Sequence, residues 1–295
     1  METEVRLAER FDADRGHLRA VAYRMLGSLD EADDAVQETW LRASRTDIGE
    51  IANVTGWLTT IIGRICLDML RARRRRGEEF TDEPLAATAP GAGPEEEAVL
   101  AESVGLALLV VLDTLGPAER VAFVLHDLFA VPFTEVAAIL ERSPVAAKKL
   151  ASRARGRVRG TPAVPAADLM RQREVVGAFL AASRAGDLEA LLAVLAPDVV
   201  RRTDRVAPGG EAEVRGARRI AEETLTNTAR ARVAALALVD GEVGLVVAPR
   251  GRLLLVLRPK VDGDRVTFVD VIGDPARLRG LRIAPPPGRD IENSR

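Results

Sequence analysis

The stretch Pro132-Phe-Thr-Glu-Val-Ala-Ala-Ile-Leu-Glu-Arg-Ser-Pro-Val-Ala-Ala-Lys-Lys-Leu-Ala-Ser-Arg-Ala-Arg-Gly-Arg-Val-Arg159 decides how the chain is read. Its first part, Pro132 to Leu140, puts Val136, Ala137 and Leu140 on one face of a short helix. Glu141-Arg142-Ser143 reads as a turn, with Ser143 as a cap and Pro144 suited to a first helical position. The second part, Pro144 to Arg159, spaces Val145, Ala147, Leu150, Ala151, Ala154 and Val158 for burial. It turns Lys148, Lys149, Ser152, Arg153 and Arg155 to the other side. This is a helix-turn-helix whose second helix is amphipathic and strongly basic, the arrangement that lays a recognition helix in a major groove. Small residues at Ala146 and Ala147, ahead of the two lysines, favour close approach to the groove. A solvated basic surface helix is the alternative reading.

Outward from this stretch, charge is strongly segregated, although the net charge of the 295 residues is only −2. Residues 142–159 carry +7, all of it Lys and Arg. A second basic block, residues 62–76, carries +5 through Arg64, Arg71 and Arg73 to Arg76, less Asp68. Between them Glu78 to Glu102 carries −8 and includes Pro84, Pro90, Gly91, Gly93 and Pro94, the composition of a flexible linker. A second break follows at Gly160-Thr-Pro-Ala-Val-Pro165. The expected organisation is a helical domain over 1–76, an acidic linker over 77–97, the helix-turn-helix domain over 98–160 and a third domain over 168–285.

Two of the three domains read as all-α. Arg10 to Leu26 spaces Phe11, Leu18, Val21, Ala22, Met25 and Leu26 mostly by threes and fours. Ser28-Leu-Asp-Glu31 is a capping box that opens a helix with Ala32, Ala35, Val36, Trp40 and Leu41. Gly56 to Arg75 starts apolar and ends basic. The third domain changes period: helices near 168–185, 187–195 and 216–227 precede strands at Val233–Val239, Glu242–Ala248, Arg252–Arg258 and Arg265–Ile272, with Asp-Gly turns between. That order predicts an α+β domain with helices packed on an antiparallel sheet. No run approaches the roughly 18 apolar residues of a membrane span, and the charged N-terminus predicts no secretory signal. A single cysteine, Cys66, leaves no internal disulfide or cysteine-based metal site, so no metal or cofactor is expected and the cytoplasm is the expected compartment.

In the first domain Asp33, Asp34, Gln37 and Glu38 recur at i, i+1, i+4 and i+5 and form one acidic stripe. Such a stripe repels DNA; it is either solvated surface or a docking face for a basic protein. The helix from Gly56 is the opposite case, with Arg64, Asp68 and Arg71 at i, i+4 and i+7 ahead of Arg73 and Arg74. That face suits contact with a DNA backbone, with one polar pair placed to read bases.

These residues carry a family resemblance. Asp33-Asp-Ala-Val-Gln-Glu-Thr-Trp40-Leu-Arg-Ala resembles region 2.2 of bacterial sigma factors. Gly56-Trp-Leu-Thr-Thr-Ile-Ile-Gly-Arg-Ile-Cys-Leu-Asp-Met-Leu-Arg71 resembles regions 2.3 to 2.4 of the extracytoplasmic-function (ECF) group. Leu112 to Asp127, with the helix-turn-helix after it, resembles region 4, and the third domain is similar to a SnoaL-like, cystatin-like cone. Together they resemble the SigJ-type subgroup. The resemblance implies that Asp33, Asp34, Gln37, Glu38 and Trp40 dock on the β′ clamp helices of core RNA polymerase, with the β flap as a further contact. It implies that the loop Thr46–Thr55 with Arg64, Asp68 and Arg71 reads a −10 element, and that Lys148, Lys149, Ser152 and Arg153 read a −35 element. Two subgroup motifs are only partly matched, by Thr203-Asp-Arg-Val-Ala-Pro-Gly-Gly-Glu211 without its lysine, and by Asp274-Pro-Ala-Arg-Leu278. In the linker only Asp82-Glu-Pro-Leu85 remains of a third.

SnoaL-like relatives include cyclases and isomerases, whose chemistry needs a positioned general base. The third domain has no His, Cys, Tyr or Trp; its candidates Asp198, Asp204 and Asp270 read as surface or structural residues. The expectation is a non-enzyme in which the third domain regulates the other two. The alternative is a ligand-responsive helix-turn-helix regulator with that domain as its sensor. The second basic helix and the acidic stripe favour a sigma factor, since a repressor needs only one groove reader and a dimer interface.

Overall fold

The computed structural model describes residues 2–46, 49, 51–79, 105–160, 162–204, 211–249 and 252–286. Residues 80–104, which hold most of the acidic block and all of Asp82–Leu85, lie outside the described residues, as do 205–210. The chain groups into two compact units, one built mainly from 1–97 with 112–156, the other from 157–290 with 98–111.

The first unit begins with three helices, α1 (Glu2–Leu26), α2 (Leu29–Ala43) and α3 (Val54–Glu79). Gly27, at φ 78°, ends α1 in a left-handed turn, and Ser28 Oγ accepts from the Glu31 amide at 3.4 Å to open α2. Only this half of the expected capping box forms, because the Glu31 carboxylate is taken by Arg73 instead. At the start of α3, Asn53 Oδ1 accepts from the Gly56 amide at 3.0 Å. Ile61, Ile62 and Ile65 are indifferent helix formers, each disfavoured by up to about 0.7 kcal/mol. Burial decides the matter: Leu18, Met25, Leu29, Leu58 and Ile62 are fully enclosed, each contributing about 1.5–3 kcal/mol.

Next along the chain come α4 (Leu106–Asp113), most of which groups with the second unit, then α5 (Pro117–Phe123), a π-helical turn at Val124–Leu128, α6 (Phe133–Leu140) and α7 (Pro144–Arg159), which group with the first unit up to Gly156. The helix-turn-helix forms as read. Pro132 caps α6, Glu141 closes it in the left-handed region at φ 54°, and Ser143 Oγ accepts from the Ala146 amide at 3.2 Å. Cys66 is buried, and burial pushes its thiol pKa up. His126 stacks on Phe133 with centroids 3.6 Å apart.

The second unit is an α+β domain. Helices α8 (Ala166–Ala185), α9 (Leu188–Val194), α10 (Ala217–Leu225) and α11 (Thr228–Arg232) accompany a seven-stranded sheet; α12 (Pro275–Gly280) follows the sixth strand. The strands are β1 (Leu195–Thr203), β2 (Glu213–Arg215), β3 (Ala234–Val239), β4 (Glu242–Val247), β5 (Leu255–Asp262), β6 (Arg265–Ile272) and β7 (Ile283–Ala284), in the order β2-β1-β6-β5-β4-β3-β7. The sheet is antiparallel except for the β1–β6 pair, which is parallel, a departure from the expected meander. Strand β1 escapes a sequence reading because Pro197 interrupts it. The register shifts between Leu195 and Val200, so the proline, which has no N–H, sits in an irregularity of the ladder. Pro259 is accommodated inside β5 because β4 pairs only with Leu255–Leu257. Asp240 and Gly241, both at positive φ, make the two-residue turn between β3 and β4.

Gly160, Ala163 and Val164 pack on the second unit. Gly160 has φ +59°, and a Cβ there would stand 2.3 Å from the Ala284 Cβ; the Ala163 amide donates to the Gly241 carbonyl at 2.9 Å. The domain core joins Val176, Phe179 and Leu180 of α8 with Leu191, Leu195, Val199, Ile220, Leu238, Leu245, Val266 and Val269. One cavity of about 10 Å³ lies within it, lined by Val176, Phe179, Leu245, Leu257, Pro259, Val266 and Val269. That is the space of one water at most, with no polar side chain to hold it.

Candidate nucleic-acid interface

Helix α7 presents the basic face. Lys148, Lys149, Ser152 and Arg153 are exposed and make no ion pair with a described residue. Arg155 differs: its guanidinium lies 3.1 Å from Asp127 in the π-helical turn, so it braces α7 against the preceding helix. Ala147, Ala151, Ala154 and Val158 are buried, as their spacing predicts. Val145 is not; it is 65 % exposed. At about 100° per residue Val145 points roughly 120–180° away from those four residues, onto the basic face.

On α3, Arg64, Asp68 and Arg71 form an exposed row, with Arg71 3.6 Å from Asp68. Arg73 does not continue it. Its guanidinium donates to the Leu26 carbonyl at 3.1 Å, pairs with Glu31 and lies 3.8 Å from Asp113. Asp113 in turn pairs at 3.1 Å with Arg120, which is 2 % exposed. Burial lowers the Arg120 pKa and Asp113 opposes that shift. The row Glu31–Arg73–Asp113–Arg120 thus ties the α1–α3 helices to the start of α5. Arg74 is exposed next to it. Of the loop 46–55, residues 47, 48 and 50 lie outside the described residues.

Helix α3 touches α6, the first helix of the helix-turn-helix. A Cβ on Gly63 would stand 3.2 Å from Ile139 Cδ1 and 3.4 Å from Leu125 Cδ1, so α6 packs close against α3 at this glycine. Beside it, Arg64 Nη2 donates to the Ala138 carbonyl at 3.3 Å.

The acidic stripe on α2 is partly neutralised. Asp33 takes a bidentate pair from Arg19 at 2.7 and 3.0 Å, and Glu38 takes Arg42 at 2.8 Å. Trp40 packs on Phe11 with centroids 5.1 Å apart. Asp34 and Gln37 are exposed beside Arg15, Gly16 and Arg19, along an open groove of about 590 Å³. Leu41, 50 % exposed, extends the same face and was missed by a reading that followed charge alone.

In the second unit Asp204 accepts from the Gly273 and Asp274 amides at 2.7 and 3.1 Å and from Arg277 at 2.8 Å; Arg277 also reaches Asp270 at 3.0 Å. The two partly matched motifs therefore meet, Asp204 of one holding Asp274 and Arg277 of the other. Asp198 is exposed in the β1 irregularity. No group of three His, Cys, Asp or Glu among the described residues is placed to hold a metal. No described helix is long and apolar enough to cross a membrane.

Comparison with known proteins fits this division. Residues 6–76 match the sigma-70 region 2 family and residues 105–158 the sigma-70 region 4 family. The chain is 42% identical over 250 residues to the ECF RNA polymerase sigma factor SigJ of Mycobacterium tuberculosis, covering 81% of this chain and 80% of that one. The chain belongs to the ECF RNA polymerase sigma factors. Within that family it is of SigJ type, and it directs transcription initiation at promoters. The ECF factor is also 33% identical over 277 residues to the probable sigma factor SigI of M. tuberculosis, covering 92% of this chain and 94% of that one. The crystal structure of M. tuberculosis SigJ aligns over 92% of this chain and 98% of its own at 35% identity, with a TM-score of 0.45. ECF sigma factors are a non-enzymatic family that works with RNA polymerase and promoter DNA.

Proposed function

We propose that α7 reads the −35 element through Lys148, Lys149, Ser152 and Arg153, while α3 reads the −10 element through Arg64, Asp68, Arg71 and Arg74. In this reading Arg73 and Arg155 hold the two helices in place instead of touching bases. The exposed row Asp34, Gln37 and Leu41, with Asp33, Glu38 and Trp40 around it, docks on the β′ clamp helices, and region 4 meets the β flap. The protein acts with core polymerase in the cytoplasm. The observation that carries the reading is the pair of solvent-facing charged helix faces, one of them on the second helix of a helix-turn-helix.

The −10 and −35 elements lie about 25 base pairs apart, or roughly 85 Å at 3.4 Å per pair. Readers joined through Gly63 and Ile139 cannot both be in place, so the α3–α6 contact opens before initiation. We infer that the C-terminal unit regulates this opening and catalyses no reaction. Support comes from Asp204 and Asp270, both paired with Arg277.

The test is promoter-directed transcription with core polymerase. Lys148→Ala, Lys149→Ala and Arg153→Ala together should abolish specific initiation and flatten the salt dependence of promoter binding by about one log–log unit per lost phosphate contact. An unchanged slope and unchanged transcript would remove α7 from the −35 role.

A further inference from the structure

Val145 stands in the middle of the basic face of α7. At about 100° per residue, Lys149, Ser152 and Gly156 fall within roughly 40° of its direction, with Lys148 and Arg153 just outside. It is a large apolar side chain, 65 % exposed, where every other apolar residue of α7 is buried or half-buried. It lies in the first helical turn, the part of a recognition helix that meets base edges. That turn is rigid: Pro144 fixes its entry, Ser143 Oγ caps the Ala146 amide at 3.2 Å, and a β-branched side chain is stiff at χ1.

We propose that Val145 is a specificity-determining residue of the −35 contact, packing against the C5 methyl group of a thymine. The inference rests on the reading of α7 as the −35 helix and adds what its tip recognises. The tip formed by Pro144, Val145 and Ala146 carries no side-chain donor or acceptor, so it cannot pair with the polar edge of a base. In the major groove the one apolar group a base pair displays is the thymine methyl. The lysines and Arg153 around it supply the phosphate attraction that brings the tip into the groove.

The experiment uses the full chain in holoenzyme with core polymerase, and a duplex selected by that holoenzyme from a library randomised over the −35 element. Each thymine of the selected element is replaced in turn by deoxyuridine, which removes the methyl group alone. One replacement should weaken wild-type binding about fourfold, the effect of one buried methyl group. Val145→Ala should bind the thymine and uridine duplexes equally at that position while keeping its response at every other. A selected element without thymine, uridine duplexes that all bind like the parent, or a Val145→Ala protein that keeps the wild-type discrimination overturns the proposal. The Lys148→Ala/Lys149→Ala/Arg153→Ala protein separates the two readings. If it binds the duplex like wild type, the −35 assignment of α7 falls. If it binds weakly while uridine has no effect on wild type, only the role of Val145 falls.

Discussion

Arg73 belongs to a run of four arginines, and nothing in that run distinguishes it from its neighbours. Its partners do: it is the cation between Glu31 and Asp113, and Asp113 is the partner of buried Arg120. The burial of Arg120 is tolerable because that carboxylate faces it. Arg120→Ala strands Asp113 and empties a filled site. It should destabilise the first unit by about 3 kcal/mol, the low end for a broken buried pair because Asp113 is partly hydrated. Urea unfolding followed by far-ultraviolet circular dichroism would read this as a lower midpoint, and an unchanged midpoint would show the network to be dispensable. Val145 teaches the same lesson in reverse. Its hydrophobicity suggested burial, but its angle on the helix places it in solvent.

Among the elements, the α3–α6 contact matters most, because it joins the proposed −10 helix to the first helix of the helix-turn-helix through Gly63 and Ile139. A Gly63→Cys/Ile139→Cys protein should form a disulfide on oxidation, since Cys66 is buried and unavailable. The oxidised protein should fail to initiate from its promoter while still binding core polymerase, and reduction should restore transcription. Full activity in the cross-linked form would mean that both readers work without parting. Helix α2 offers a second test. Asp33 and Glu38 already have Arg19 and Arg42 as partners, so the charge open to a basic partner is Asp34. Asp34→Lys should weaken binding to core polymerase by about 2 kcal/mol or more, the cost of disturbing a close charge pair across an interface. Asp33→Asn should cost less, because Arg19 already screens that carboxylate. Equal effects of the two in a titration against core enzyme would contradict this ranking.

For the whole molecule, the C-terminal unit combines helices with a seven-stranded sheet. Its polar investment lies at the end of β1, where Asp204 gathers Gly273, Asp274 and Arg277. If the unit restrains the sigma helices, loosening it should raise output. Arg277→Ala removes two ion pairs and should increase transcript yield from a fixed promoter without moving the start site. Runoff transcription measures both, and unaltered yield together with an unaltered unfolding midpoint would deny this junction a regulatory part.

The sequence by itself determined the segregation of charge along the chain, the helix-turn-helix with its caps, and the strands from β3 to β6 with the Asp-Gly turn between β3 and β4. These depend on spacing, turn chemistry and charge, all of which are local. It also carried the family resemblance, because sigma region motifs are contiguous runs. Only the tertiary structure decided which charged residues face solvent and which face each other. Arg73 and Arg155 turned inward to carboxylates, while Val145 stayed outside. It also decided the parallel β1–β6 pair and the junction of Asp204 with Arg277, which joins positions 73 residues apart. The physical reason is the same in each case. An ion pair, a strand register or a filled cavity depends on a partner distant in the chain, and periodicity along one helix or strand carries no information about that partner.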